Sequence, residues 1–161
     1  MKTLKELVRQ HVNKDDSVVD FGCGIQNHTL DLQCKSYLGV DAYTPYLEKV
    51  RFRPTLKMDI AYCDPFFIDK SYDVVLCLDV IEHLEMNQAV IVLNTFKRIA
   101  SKKVVIFTTD GFVKQEDGHG WGSNNPEWQK HRCGFSQNDL TNLGFKVTKE
   151  LGGLFAVKEF K

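Results

Sequence analysis

Residues 17–29 read SVVDFGCGIQNHT, and this segment carries the strongest fold signal in the chain. An apolar run with the character of a β-strand ends in Asp20 and turns at once into Gly22-Cys23-Gly24. Glycines at such a point let the backbone turn tightly and approach a ligand with no Cβ in the way. The segment therefore predicts the opening of a nucleotide-type cofactor site in a Rossmann-like sheet.

A second strand-like run at residues 37–41 indicates which cofactor is bound. It ends in Asp41, and an acid at this point is typical of a carboxylate that accepts hydrogen bonds from ribose hydroxyls. A dinucleotide-binding Gly-x-Gly-x-x-Gly pattern would need its third glycine at Asn27. The acid before the first glycine, Asp20, also suits a cofactor with a cationic amino acid end.

Composition excludes several classes of partner. The chain has 161 residues and a formal net charge of zero, so nothing draws it as a whole toward nucleic acid or an anionic membrane. No apolar run approaches the roughly 20 residues that span a bilayer. The first twelve residues, MKTLKELVRQHV, lack the apolar centre of a signal peptide and predict an amphipathic helix within residues 1–14. The oligomeric state is left open.

Five cysteines occur at positions 23, 34, 63, 77 and 133, with no Cys-x-x-Cys pair. The odd number and the strand-like or turn-like contexts favour reduced thiols and a cytoplasmic location. Two histidines and a cysteine, His119, His131 and Cys133, do not make the two ligand pairs that structural zinc usually shows. No metal is expected.

Strand-like and helix-like segments alternate along the chain. The pattern predicts strands at 18–21, 37–41, 56–60, 72–78 and 103–108, helices at 81–99 and 137–143, and a hairpin of 145–151 and 154–160 across Gly152-Gly153. Such alternation predicts a single α/β domain over residues 1–161, doubly wound around a mainly parallel seven-stranded sheet. The hairpin predicts an antiparallel last strand, inserted beside the fifth.

The long irregular stretch at 110–135 interrupts this pattern. It contains five glycines and both tryptophans, and its length exceeds what a plain connection needs. We expect a mobile lid that shapes the acceptor pocket, with Trp128 or His131 at the mouth of the cofactor site. The alternative is a small hydrophobic cluster that pins the loop to the surface.

The fourth strand runs into Asp79-Val80-Ile81-Glu82-His83-Leu84. Together with the acid-Gly-x-Gly loop, the acids at 41 and 59, the fifth strand and the Gly-Gly hairpin, this turn resembles the class I S-adenosylmethionine-dependent methyltransferases. The resemblance extends from residue 17 to residue 161. The chain departs from the family's Gly-x-Gly-x-Gly pattern at Gln26, and the segment that follows leaves room for only a small helix or none.

The resemblance implies S-adenosylmethionine as cofactor. Asp20 would bond its amino group directly or through water, Asp41 its ribose hydroxyls, and Asp59 would meet the adenine. The full predicted cofactor set is Asp20, Gly22, Cys23, Gly24, Asp41, Ala42, Met58, Asp59, Ile60, Leu78 and Asp79. This follows the rule that ligands bind at the carboxyl ends of parallel strands.

Asp79, His83 and His131 are the catalytic candidates. A histidine of near-neutral pKa suits the deprotonation of a hydroxyl or amine, although His83 could instead orient the turn after strand four. The predicted function is methyl transfer to a small-molecule or glycan-related acceptor. The alternatives are a protein that binds S-adenosylmethionine without transfer, and an NAD-dependent Rossmann enzyme.

Overall fold

A computed structural model describes residues 2–115 and 126–161 of the chain. One sheet contains seven strands in the order β3-β2-β1-β4-β5-β7-β6. The strands are β1 (Ser17–Phe21), β2 (Ser36–Asp41), β3 (Thr55–Lys57), β4 (Tyr72–Leu78), β5 (Ala100–Thr109), β6 (Lys146–Glu150) and β7 (Gly153–Glu159). The α-helices are α1 (Leu4–Arg9), α2 (Thr44–Leu47), α3 (Met86–Ile99), α4 (Pro126–Gln129) and α5 (Gln137–Asn142).

The centre of the sheet is parallel, and its far edge is antiparallel. β1 pairs in parallel with both β2 and β4, and β5 continues the parallel part beside β4. β7 lies antiparallel between β5 and β6. The predicted α/β class, the parallel sheet and the inserted last strand are therefore confirmed.

Each face of the sheet is covered by its own apolar layer. On one face α3 buries the residues that recur at helical spacing, and Phe96 stacks on Phe21 of β1 with ring centroids 4.6 Å apart. On the other face α1 buries Leu4, Leu7 and Val8 against the sheet. Because both faces are covered, β1 and β4 are almost continuous apolar runs, as central parallel strands usually are.

The N-terminal helix is shorter than the predicted span of residues 1–14. A capping box between Thr3 and Glu6 begins α1, and the helix ends at Arg9. Beyond it the chain turns back, and the Asp16 carboxylate accepts a hydrogen bond from the backbone N–H of Asn13. The predicted amphipathic helix is present with its apolar residues buried, but Gln10 caps it and the chain is no longer helical up to residue 14.

The predicted helix at 81–99 is two separate elements. Ile81–His83 forms a 3-10 turn, and α3 begins only at Met86. Leu84 and Glu85 are extended, with ψ angles of 156° and 146°. His83 therefore lies in the turn after β4, not on the long helix.

The third strand was predicted too far along the chain. Pairing with β2 stops at Lys57, because Asp59 caps a 3-10 helix, Ile60–Tyr62, by accepting a hydrogen bond from the backbone N–H of Ala61. The predicted hairpin turn is also displaced by one residue. Leu151 and Gly152 make the turn at positive φ, while Gly153 is already in β7.

The turns that follow β1 and β4 lie directly against each other. Gly22 has φ +75°, and a Cβ on it would lie 2.2 Å from Cγ2 of Val80. Gly111 has nearly the same φ, +76°, but a Cβ there would meet nothing within 4 Å. Alanine at Gly22 and alanine at Gly111 therefore differ in one respect. Both would have an unfavourable left-handed backbone, but only alanine at Gly22 would also clash with Val80.

We expect Gly22→Ala to lower the free energy of unfolding by roughly 2–4 kcal/mol, since overpacking adds to the left-handed penalty. Val80→Ala should relieve the overpacking, giving a coupling of about 1–3 kcal/mol between the two sites. Urea unfolding of the wild type, both single variants and the double variant measures this. Gly111→Ala is the control: it should cost about 1 kcal/mol and show no coupling to Val80→Ala. A coupling near zero at Gly22 would refute the packed-turn account.

Candidate active site

A cleft of about 640 Å³ opens at the carboxyl edge of the sheet. Most residues predicted from the sequence line it: Gly22, Cys23, Gly24, Asp41, Ala42, Asp59, Ile60, Leu78, Asp79, His83 and His131. Asp20 and Met58 are not among the residues that line this cleft. Its volume lies within the roughly 300–1,000 Å³ typical of small-molecule sites.

The loop after β1 is tied to β2 by the Asp41 carboxylate. One carboxylate oxygen accepts the Gly24 N–H at 2.9 Å, and the other accepts the Tyr43 N–H at 2.8 Å. Burial raises the pKa of Asp41, while these backbone N–H groups act in the opposite direction. The loop is also held by the Val40 carbonyl, which accepts the N–H groups of Gly22 and Cys23 at 2.7 and 3.0 Å.

Asp20 lies beneath this loop, not in the cleft. It is 3% exposed, and its Oδ2 accepts hydrogen bonds from the Tyr37 hydroxyl at 2.6 Å and from the Thr29 hydroxyl at 3.0 Å. Burial raises the pKa of Asp20 to about 6, against the opposing effect of the two hydroxyls. In this arrangement the carboxylate supports the cofactor loop from below.

Gln26, the departure from the glycine pattern, does not enter the cleft. Its backbone has φ +63°, and its side chain is only 1% exposed. A Cβ on Gly39 would lie 2.9 Å from the Gln26 amide nitrogen and 2.7 Å from the Cys23 sulfur. Since Gly39 provides this space, Gln26 packs against β2 and leaves the cofactor side of the loop open.

The far wall of the cleft follows β3. Asp59 and Ile60 both line the cleft, and the Asp59 carboxylate is already engaged at one oxygen by the Ala61 N–H at 3.0 Å. Met58 instead packs against the hydrophobic core. One carboxylate oxygen of Asp59 thus remains for a polar edge such as that of adenine.

Asp79 forms the floor of the cleft at the end of β4. Its backbone has φ +56°, held by a hydrogen bond from its N–H to the Phe107 carbonyl at 2.8 Å. The side chain reaches solvent through the cleft, but the surrounding protein raises its pKa to about 7, with a further contribution from the negative charge of Glu82. A carboxylate in this position can accept a proton near neutral pH.

Glu82, which sequence reasoning did not select, is buried beside this floor. It is 2% exposed, and the Thr108 hydroxyl donates to its Oε2 at 2.8 Å. Its backbone carbonyl accepts the N–H groups of Arg132 and Cys133 at 2.8 and 3.2 Å. These contacts join the turn after β4 to residues about 50 positions further along the chain.

Two imidazoles meet beside Glu82. Nδ1 of His83 lies 3.3 Å from the Lys130 carbonyl, and Nδ1 of His131 lies 2.6 Å from the Val113 carbonyl. The ring centroids are 5.0 Å apart. Glu82, His83 and His131 each offer one ligand atom within 4.8 Å of the other two.

The predicted lid at 110–135 is only partly covered by the described residues. Its two flanks are joined by hydrogen bonds, since the Gln115 side chain donates to the Gln129 carbonyl and His131 N–H to the Gln115 carbonyl. Trp128 lines the cleft and is 40% exposed. His119 and Trp121, with the rest of 116–125, lie outside the described residues, so the mobile lid stays a prediction.

All five cysteines are free. Cys23 lines the cleft, but burial and the charges of Asp20 and Asp41 raise its pKa. A thiol with a raised pKa is a poor nucleophile. Cys23 therefore acts as a small wall residue of the cleft.

The cleft fits S-adenosylmethionine. The glycine loop leaves its cofactor side open at Gly24, where a Cβ would meet nothing within 4 Å. Asp41 and Asp59 place carboxylate oxygens on the two walls where hydroxyl and amino groups can donate. No helix among the described residues has both the length and the apolar character needed to cross a membrane.

Comparison with known proteins identifies the family. The methyltransferase domain family matches residues 2–149. A ubiquinone biosynthesis O-methyltransferase of Rickettsia bellii is 33% identical over 122 residues, covering 68% of this chain and 49% of the relative. The chain thus spans about half the length of the curated relatives it matches.

Two solved structures share the fold. A protein of Pyrococcus horikoshii OT3 has a TM-score of 0.72 at 20% identity and covers 99% of this chain and 88% of its own. The magnesium protoporphyrin IX methyltransferase of Synechocystis PCC 6803, with bound S-adenosylhomocysteine, has a TM-score of 0.62 at 17% identity, covering 97% and 78%. The chain belongs to the methyltransferase domain family, and its cofactor is S-adenosylmethionine.

Asp20 should make stability depend on pH. Its folded pKa, about 6, lies above the ordinary 3.8, so the folded state holds a proton between these values that the unfolded state releases. The contribution of Asp20 to stability should therefore be fully present below about pH 4 and should fall by roughly 3 kcal/mol by pH 7. Asp20→Asn should remove this decline. Urea unfolding of both proteins across pH 4–8 checks it, and parallel pH profiles would contradict it.

Asp41→Asn should weaken S-adenosylhomocysteine binding by about 10- to 150-fold, because hydrogen bonds to a charged group contribute about 1.5–3 kcal/mol. The asparagine side chain also has only one acceptor oxygen, whereas the two oxygens of Asp41 accept the N–H groups of Gly24 and Tyr43. Calorimetry measures the affinity. Asp15→Asn, at an exposed position outside the cleft, is the matched control and should bind as the wild type does. Equal affinity in both variants would refute the ribose assignment.

Proposed function

We propose that the chain transfers the methyl group of S-adenosylmethionine to a hydroxyl oxygen of a small-molecule acceptor. The observation that carries this proposal is one continuous cleft with two different walls. The glycine loop and Asp41 form the cofactor wall, while Asp79 lies on the floor with an accessible carboxylate. A proton acceptor thus lies within the space that a cofactor and a small acceptor would share.

The glycine loop, Asp41 and Asp59 would hold S-adenosylmethionine, which would supply a methyl group already activated by its positively charged sulfur. The acceptor oxygen would take this methyl group, and the electron pair of the broken bond would stay on sulfur. The protein's own contribution is to position the acceptor in line and to exclude water. Asp79 takes the proton that the acceptor hydroxyl loses. Its left-handed backbone, set by the packed turns, aims the side chain at the cleft.

An acceptor with an apolar body is favoured by the mouth of the cleft. Val113 and Trp128 line it and are 48% and 40% exposed. An aromatic or aliphatic ring could cover these side chains while its hydroxyl reaches Asp79. The matching relatives are named as O-methyltransferases, which agrees with an oxygen acceptor. A glycan-type acceptor would use the same hydroxyl chemistry on a more polar body.

A protein that binds the cofactor without transferring its methyl group is the remaining alternative. Gln26, where the chain departs from the glycine pattern, is buried and does not line the cleft, which favours cofactor binding but does not by itself decide for transfer. Membership of the methyltransferase family also weighs against the NAD-dependent alternative.

The test is a screen of acceptors with isotope-labelled S-adenosylmethionine and product detection by mass spectrometry. The panel contains phenols and catechols with apolar substituents, simple glycosides, and amines of matched size. We expect O-methylated phenols or catechols as the main products. Methylated amines alone would contradict the hydroxyl acceptor, and cofactor binding with no product from any class would favour the binding protein.

Asp79→Asn provides the second part of the test. Asparagine tolerates a left-handed backbone, so the turn should keep its shape while the proton acceptor is lost. Transfer should fall about 100-fold or more, as for removal of a general base. Affinity for S-adenosylhomocysteine should change by less than about tenfold. Unchanged transfer in this variant would exclude Asp79 as the proton acceptor.

A further inference from the structure

We propose that Glu82, His83 and His131 form a binding site for a divalent transition-type cation, open toward the acceptor side of the cleft. The three side chains come from two segments almost 50 residues apart in sequence, yet their ligand atoms lie within 4.8 Å of one another. All three also line the cleft. A cation held by them would therefore keep coordination positions facing the space for the acceptor.

Each imidazole has a backbone carbonyl at Nδ1, as histidine ligands of metal ions usually do. The Lys130 and Val113 carbonyls can only accept, so Nδ1 of each histidine carries the proton and donates it there. The neutral ring then has its lone pair on Nε2. Backbone carbonyls that fix the tautomer in this way are the common outer partners of histidine ligands. The same arrangement occurs independently on both rings.

The Glu82 carboxylate is oriented as well. The Thr108 hydroxyl donates to Oε2 at 2.8 Å, and one oxygen of the carboxylate lies within 4.8 Å of a ring nitrogen of each histidine. The carboxylate is 2% exposed, and backbone N–H groups of Glu82 and Val80 stabilise it together with the Thr108 hydroxyl. Arg132 does not pair with it, because its guanidinium bonds the Glu127 carboxylate at 2.6 Å and the His83 carbonyl at 3.0 Å.

The donor set indicates the class of ion. Two imidazole nitrogens and one carboxylate with open positions suit Mn²⁺, Fe²⁺, Co²⁺ or Zn²⁺. Mg²⁺ and Ca²⁺ prefer sets built from oxygen alone. In the proposed reaction, on which this step of the inference rests, the ion would bind the acceptor oxygen and lower the pKa of its hydroxyl. The released proton would go to Asp79 or to water.

This inference departs from the sequence-based expectation that no metal is bound. That expectation considered His131 with His119 and Cys133. Cys133 instead directs its thiol to the Ile81 carbonyl at 3.3 Å, which places the sulfur in the turn contacts and not with the imidazoles. The structure instead brings Glu82 and His83 beside His131 as candidate metal ligands.

The experiment uses the chelator-treated chain with each metal ion alone, without cofactor or acceptor. Mn²⁺ binding is followed by electron paramagnetic resonance, Co²⁺ by visible absorption, and Zn²⁺ and Mg²⁺ by calorimetry. We expect one saturable site for Mn²⁺, Co²⁺ and Zn²⁺, much weaker binding of Mg²⁺, and a Co²⁺ spectrum with nitrogen ligands. The absence of saturable binding for all three transition-type ions would overturn the proposal.

Variants locate the site. Glu82→Gln, His83→Gln and His131→Gln should each abolish or greatly weaken binding, while Thr108→Val, which removes only the outer hydrogen bond, should weaken it about 10- to 100-fold. His11→Gln is the control, because His11 packs on Phe155 away from the cleft. Circular dichroism and S-adenosylhomocysteine affinity show that each variant is folded. Should one variant not fold, the remaining ligand variants decide.

The outcomes separate this proposal from the proposed function. Equal metal affinity in the wild type and all ligand variants, or loss of binding in His11→Gln, would overturn the cation site. A wild-type chain that binds none of these ions yet transfers methyl groups would overturn the cation site while leaving the proposed function intact. Metal binding that depends on all three ligands supports the site even where no acceptor is methylated.

Discussion

The contact between Gly22 and Val80 is the constraint on which the site depends. β1 and β4 are neighbours in the sheet and end at the same edge, so the turns that follow them must share a small space. Both turns use a left-handed backbone, at Gly22 and at Asp79. Because a Cβ on Gly22 would lie 2.2 Å from Val80, only glycine lets the cofactor loop lie on the floor of the cleft. The cofactor wall and the acceptor floor are thereby held together.

The central sheet could be predicted from the sequence because burial on both faces leaves a continuous apolar run. β4 was predicted at its observed bounds, and the inserted last strand followed from the hairpin. β3 could not be placed in the same way, because all three of its residues are exposed and carry no burial pattern. The start of α3 was predicted too early. The 3-10 turn before it contains Ile81, and this residue continues the helical spacing of apolar residues.

The candidate site was predictable where function resides in local motifs. The glycine loop, Asp41 and Asp79 all line the cleft, because each ends a parallel strand at the same edge. Asp20 satisfies the same motif, yet Tyr37 and Thr29 engage its carboxylate below the loop. These hydrogen bonds from other segments hold Asp20 outside the cleft, and the spacing of residues within the motif does not reveal them.

Glu82 is the reverse case: it was not predicted from the sequence as a site residue, yet it lines the cleft. A glutamate among helical residues is usually solvated, but Thr108 and the backbone of residues 132–133 bury this one. Its only sequence signal is its fixed place between Asp79 and His83 in the turn. The site therefore arises from a tertiary contact between two distant segments, which also brings His131 beside His83.

Amide correlation spectra of the labelled chain, recorded during titration with S-adenosylhomocysteine, would show whether the cofactor lies between the glycine loop and the end of β2. We expect the largest shifts at Gly22, Cys23, Gly24 and Ala42, and no comparable response to NAD. Shifts that leave the glycine loop unchanged, or an equal response to NAD at these amides, would contradict it.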